Sequence, residues 1–152
     1  MTDGRKPKDV CRTVLYLIDR VLEREETQLN GVVVFHDLNG LQRQNVHPEI
    51  PKLIMQGIIG HFPLKIVGMY LLNAPWFFQV LFNVIKLFLP KKLKERIYFI
   101  DSLEEVYKVV DKEKLLVEHG GELDFDPDTW VDHHRDRELN GDFNTLLSCA
   151  KM

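Results

Sequence analysis

The sequence predicts an α/β fold with a mixed, mainly parallel sheet flanked by helices. Three observations carry that expectation. GVVVFHDL (31–38) and IVGMYLLN (66–73) are runs of aliphatic, β-branched and aromatic residues, too apolar for strands with one wet face and suited to strands covered on both. The segments between apolar runs exceed a dozen residues and show helical spacing, as a crossover between parallel strands requires. A short third run, IYFI (97–100), follows another helical stretch and continues the alternation.

Each element has its own signal. Residues 8–28 read as one helix, because Val10, Cys11, Val14, Leu15, Leu17, Ile18, Val21 and Leu22 recur at three- and four-residue spacing. Asn30-Gly31 stops it. Asn39-Gly40 turns the chain after the first strand. A helix over 48–62 follows, with Ile50, Leu53, Ile54, Ile58, Ile59 and Phe62 inward, and Pro63 closes it. After the second strand Pro75 takes the first position of a new helix. Of the fourteen positions from Trp76 to Leu89 eleven are apolar, and only Gln79, Asn83 and Lys86 interrupt them. Pro90 breaks this helix and starts a short one through Arg96. Beyond the third strand, Ser102 is placed to cap SLEEVYKVV, with Glu105 completing a capping box. DKEKL (111–115) forms a further helical turn, Gly120-Gly121 a tight turn, and 128–139 a polar helix. The expected division is a domain over residues 1–125 and a polar helical tail over 126–152.

A chain of 152 residues, 45% hydrophobic and 28% charged, has the composition of a globular domain. A net charge of −3 argues against a nucleic-acid partner. The charge is unevenly spread. Lys86 to Arg96 holds five bases and one acid, whereas Asp101 to Asp142 holds fourteen acids and five bases, a local anion-facing patch rather than a basic surface. Cys11 and Cys149 form neither a metal-ligand spacing nor a disulfide framework. MTDGRKPKD lacks the apolar core of a signal peptide, so a cytoplasmic setting is expected. As a helix, Trp76–Leu89 would rise about 21 Å, short of the ~30 Å hydrocarbon core. It is suited to lying in a membrane interface, not to crossing one.

An enzyme is not expected. Ser102 and Ser148 are the serines of the chain, and neither lies in G-x-S-x-G. Neither cysteine sits at a nucleophile elbow, and no phosphate-binding glycine loop is present. No metal or cofactor is expected either. His133 and His134 lie beside Asp132 and Asp136, but adjacent residues do not share a helix face. His36 reads as a core or pocket-wall residue.

Several motifs occur together: NGVVVFHDLNG, FPLK, the N-x-P that opens the apolar helix, I-K-x-F-L, K-E-R-I, and a glycine pair followed by an acid. In this order and spacing, over residues 8–122, they resemble the CRAL-TRIO lipid-binding domain family, with K-E-R-I closest to its retinoid and tocopherol branch. Within residues 1–152 the separate helical domain and the first strand that precede this region in family members are not expected. The resemblance implies a hydrophobic cavity between sheet and helices that holds one lipid or lipid-like molecule. It also implies that Pro75–Leu89 is a gate helix that swings out at a membrane.

The residues expected to line the cavity and gate are Trp76, Phe77, Val80, Leu81, Val84, Ile85 and Phe88, with Val33, Phe35, Met69 and Leu71 on the strands opposite. The residues expected at anionic headgroups are Lys86, Lys91, Lys92, Lys94 and Arg96, each charge adding about 1 kcal/mol near the surface. Leu93 stands where the yeast phospholipid-transfer branch has a threonine, and Leu87 where many members have proline. This points the basic cluster at the membrane rather than at the cargo. The expected function is a carrier that is reversibly membrane-associated and exchanges one hydrophobic molecule at phosphoinositide-bearing membranes. The alternative is a recruitment or regulatory module that senses lipid without transfer.

Overall fold

The structure is a computed structural model and describes residues 6–47, 49–58 and 61–141. Pro48, Ile59, Asp142, Ser148 and Cys149, named in the sequence analysis, lie outside the described residues. The chain divides into two compact units, Met1–Asp101 and Ser102–Met152.

The first unit holds the strands β1 (Val32–Asp37), β2 (Ile66–Leu72) and β3 (Ile97–Ile100), with the helices α1 (Pro7–Leu22), α2 (Glu25–Asn30), α3 (Glu49–Ile58), α4 (Trp76–Ile85) and α5 (Lys91–Lys94). The sheet order is β1-β2-β3, and both pairings are parallel. Among the described residues the sheet is therefore parallel throughout, with no antiparallel member. Gly31 sets the entry to β1. Its φ of +87° lies in the left-handed region, and a Cβ there would sit 2.4 Å from the Lys65 carbonyl oxygen. That oxygen accepts the Val32 N–H at 2.8 Å, so only glycine fits beside it.

The two sheet faces are distinct because side chains alternate along a strand. Met69 pairs with Ile97 and Leu71 with Phe99. On this face lies α4, with Phe82 edge-on to Phe99 at 5.1 Å and Phe78 at 6.5 Å from the same ring. Leu38, Leu71, Phe82, Ile85, Leu89 and Leu93 form the buried core. Met55 of α3 packs against that core. On the other face Tyr70 and Tyr98 stack at 5.2 Å.

Four local expectations in this unit are corrected. The helix expected over 8–28 is broken after Leu22 and restarts at Glu25. Arg24 is extended, and the Gln28 amide donates to the Leu22 carbonyl at 2.7 Å, satisfying one acceptor that a helix end leaves open. The inward face of α1 also differs, since Leu17 and Val21 are exposed while Asp19 and Arg20 are buried. Arg20 meets Asp19 at 2.5 Å and Glu23 at 2.8 Å, the pairing that makes a buried charge tolerable. Pro75 is the N-cap of α4 rather than its first helical residue. Finally, α4 is α-helical only to Ile85, and Lys86–Phe88 form a 3-10 turn.

The second unit contains α6 (Leu103–Val106) and α7 (Pro127–Leu139). The capping box does not form. Ser102 is the N-cap of α6 but makes no side-chain cap bond; the backbone N–H of Glu104 and the Ser102 hydroxyl hold the Glu104 carboxyl below its ordinary pKa. Asp126 caps α7, accepting from the Asp128 N–H at 3.1 Å and from the Thr129 hydroxyl. Gly121 lies so close to Leu115 that a Cβ would fall 1.9 Å from its carbonyl oxygen, and Gly120 has a φ of +81°, so each position of the glycine pair has its own reason.

The orientation of α4 gives a stability prediction. Phe82→Ala empties a core position and should cost about 3–5 kcal/mol in urea unfolding, while Val80→Ala on the outer side should change stability by less than ~0.5 kcal/mol. Equal costs would mean that α4 presents a different face to the sheet.

Candidate functional site

Apart from Gln79 and Asn83, helix α4 is apolar, and its two long apolar faces meet different surroundings. The inner face, Phe78, Phe82 and Ile85, belongs to the core. The outer face does not. Trp76 is 69% exposed, Val80 63% and Leu87, in the following turn, 75%. Phe77, Val80, Leu81 and Val84 join Trp76, Arg43 and Val46 around an open groove of about 390 Å³. Arg43, on the 3-10 turn Arg43–Asn45, lies over the Trp76 ring at 4.5 Å and the Phe77 ring at 5.6 Å, a cation–π arrangement.

The structure thus brings together five of the residues expected at the cavity: Trp76, Phe77, Val80, Leu81 and Val84. Ile85 and Leu71 lie in the core cluster, and Met69 packs against it. Val33 is exposed on β1, Phe35 is half-buried there, and Phe88 is about half exposed beyond α4. His36 is exposed rather than in the core.

The basic residues divide in the same way. Lys91, Lys92 and Lys94 are exposed on α5, which Leu93 anchors in the core. Lys86 is half-buried with its ammonium 5.0 Å from the Phe82 ring. Arg96 is half-buried and donates to the Ile66 carbonyl. A second open cleft of about 480 Å³ has an apolar floor that includes Met55, Phe62 and Leu93, and a rim of Lys65, Lys92 and Arg96.

Arg43 and Lys65 were not legible as site residues. Arg43 sits in a polar stretch with no periodicity. Lys65 did carry a signal: it precedes β2 as Arg96 precedes β3, and adjacent parallel strands start at one sheet edge.

The remaining polar groups point to no second centre. Burial pushes the Cys11 thiol above its ordinary pKa, which makes it a poorer nucleophile. His134 stacks on Trp130 at 4.2 Å. Among the described residues no three His, Cys, Asp or Glu side chains are placed to hold a metal, and no helix is long and apolar enough to cross a membrane.

Clavesin-2 of Rattus norvegicus and of Homo sapiens are each 30% identical over 139 residues, covering 88% of this chain and 42% of theirs. Clavesin-1 of Rattus norvegicus is 31% identical over 128 residues, covering 81% of this chain and 36% of its own. The chain therefore spans less than half the length of these relatives. Among solved structures, that of Sfh5 aligns with a TM-score of 0.49 at 14% identity, covering 72% of this chain and 43% of that one. The CRAL/TRIO domain model matches residues 2–121. That match runs through all three strands and α4, and the chain belongs to the CRAL/TRIO domain family.

Proposed function

We propose that this chain binds one hydrophobic lipid or lipid-like molecule and carries or exchanges it at anionic, phosphoinositide-bearing membranes. In this reading it is a binding protein rather than an enzyme, cytoplasmic and reversibly membrane-associated, with lipid binding in residues 1–125. The observation that carries the proposal is the outer face of α4. Trp76, Val80 and Leu87 are largely exposed, and fully burying side chains of this kind stabilises by about 1.5–3 kcal/mol each. A ligand chain or a bilayer interface is the apolar surface that would cover them. The exposed lysines of α5 follow α4 directly, so a helix lying in the interface brings them to headgroup height. The cleft rimmed by Lys65, Lys92 and Arg96 suits a multiply charged headgroup. The gate function of α4 would then be an outward movement that exchanges its inner contacts for lipid.

One observation favours a second reading. Phe78 and Phe82 pack between α4 and Phe99 of the sheet, which leaves the open groove rather than the inner face for lipid. Lipid would then serve as a membrane address, and no transfer would occur. A transfer assay between donor and acceptor vesicles separates the two, since binding without transfer selects the second.

Two further outcomes are expected. Val84→Trp fills the groove and should reduce uptake of a fluorescent lipid while the fold, followed by circular dichroism, is kept. Unchanged uptake would count against the groove. The double reversal Lys91→Glu with Lys92→Glu changes four units of charge and should weaken binding to anionic vesicles by ~2–4 kcal/mol. Binding of the parent should fall as salt rises, because screening sets in over ~8 Å at physiological ionic strength. Ligand loaded from detergent should remain bound in the reversed variant. Loss of ligand with vesicle binding intact would place the cluster in the ligand site instead.

A further inference from the structure

We infer that Arg43 makes the outer groove of α4 selective for a free, single-chain carboxylate amphiphile, a ligand of the fatty-acid class. The inference rests on the reading of this groove as a lipid site. Arg43 is the one charged residue lining it, and the rest of the lining is apolar. A groove with one cation at its rim matches a molecule with one charged end. The Arg43 guanidinium covers the Trp76 and Phe77 rings, which leaves its N–H edge for a partner. The neighbouring Gln42 and Gln44 are bonded to each other at 2.6 Å, and among the described residues no carboxylate pairs with Arg43. A planar guanidinium edge takes a carboxylate by two parallel hydrogen bonds.

Size and charge narrow the class. A volume of about 390 Å³, the share of about a dozen liquid waters, holds one acyl chain and not two. The groove follows α4 from Trp76 to Val84, about 12 Å of helix. A phosphate head, carrying more charge, is better served by the three cations around the other cleft. The two parallel bonds need the carboxylate form, so the preference follows the ionisation of the ligand.

The test compares decanoate with decanol, both monomeric at micromolar concentration. Trp130→Phe leaves Trp76 as the sole tryptophan, and its emission reports on the groove. Decanoate should bind about fivefold more tightly than decanol, the ratio that an exposed charge pair supplies. Arg43→Gln should remove the difference by weakening decanoate alone. Calorimetry on the chain with both tryptophans repeats the comparison should Trp130→Phe fail to fold. Equal binding of the two ligands with a Trp76 response overturns the role of Arg43 and leaves the lipid site standing. A preference that survives Arg43→Gln overturns it as well. Failure of both ligands to bind overturns the lipid reading of the groove together with the inference.

Discussion

The contact of Phe82 with Phe99 settles what α4 can do. The two rings meet edge-on at 5.1 Å, and Phe82 is buried with Ile85 and Leu71 in the core. A helix turns 100° per residue, so fixing Phe82 toward the sheet sends Trp76, Val80 and Val84 away from it. The outer face is therefore not a packing defect. It follows from a helix that is apolar apart from Gln79 and Asn83 and has only one side covered, and the same orientation places Arg43 over Trp76 and opens the groove.

The turn after α4 extends this division to the charges. Leu89 and Leu93 return to the core on either side of Pro90, so α5 is held by one buried leucine while its lysines face water. Lys86 and Arg96 lie closer in and already have partners, the Phe82 ring and the Ile66 carbonyl. Five bases that are equivalent in sequence are thus not equivalent in space. Three are available to a surface, and two also support the fold.

Much of the fold was legible because its signals are local. The three strands are continuous apolar runs, and their boundaries fall within a residue or two of expectation. The break after Leu22 was not legible, since no glycine or proline marks it and its compensation is a side-chain bond, the Gln28 amide on the Leu22 carbonyl, that apolar spacing does not report. Burial of Arg20 was hidden because its partners are charged neighbours, Asp19 and Glu23, and an apolar count does not reveal a buried ion pair. At the site, spacing identified α4 and its polar stripe Gln79 and Asn83, both exposed, but that stripe does not tell the core-facing apolar side from the groove-facing one, because both are apolar. Five of the expected residues therefore line the groove, while Ile85 and Leu71 lie in the core behind it.

The central claim is that the outer face of α4 is where this protein meets lipid. Photolabelling tests it most directly. The full chain is bound to anionic vesicles containing a lipid with a photoactivatable acyl chain, and the adducts are located by peptide mass spectrometry. The account predicts adducts at Trp76, Val80, Val84 and Leu87, with Gln56 of α3 unlabelled. Labelling confined to α1 or α3, with residues 76–88 untouched, would contradict it.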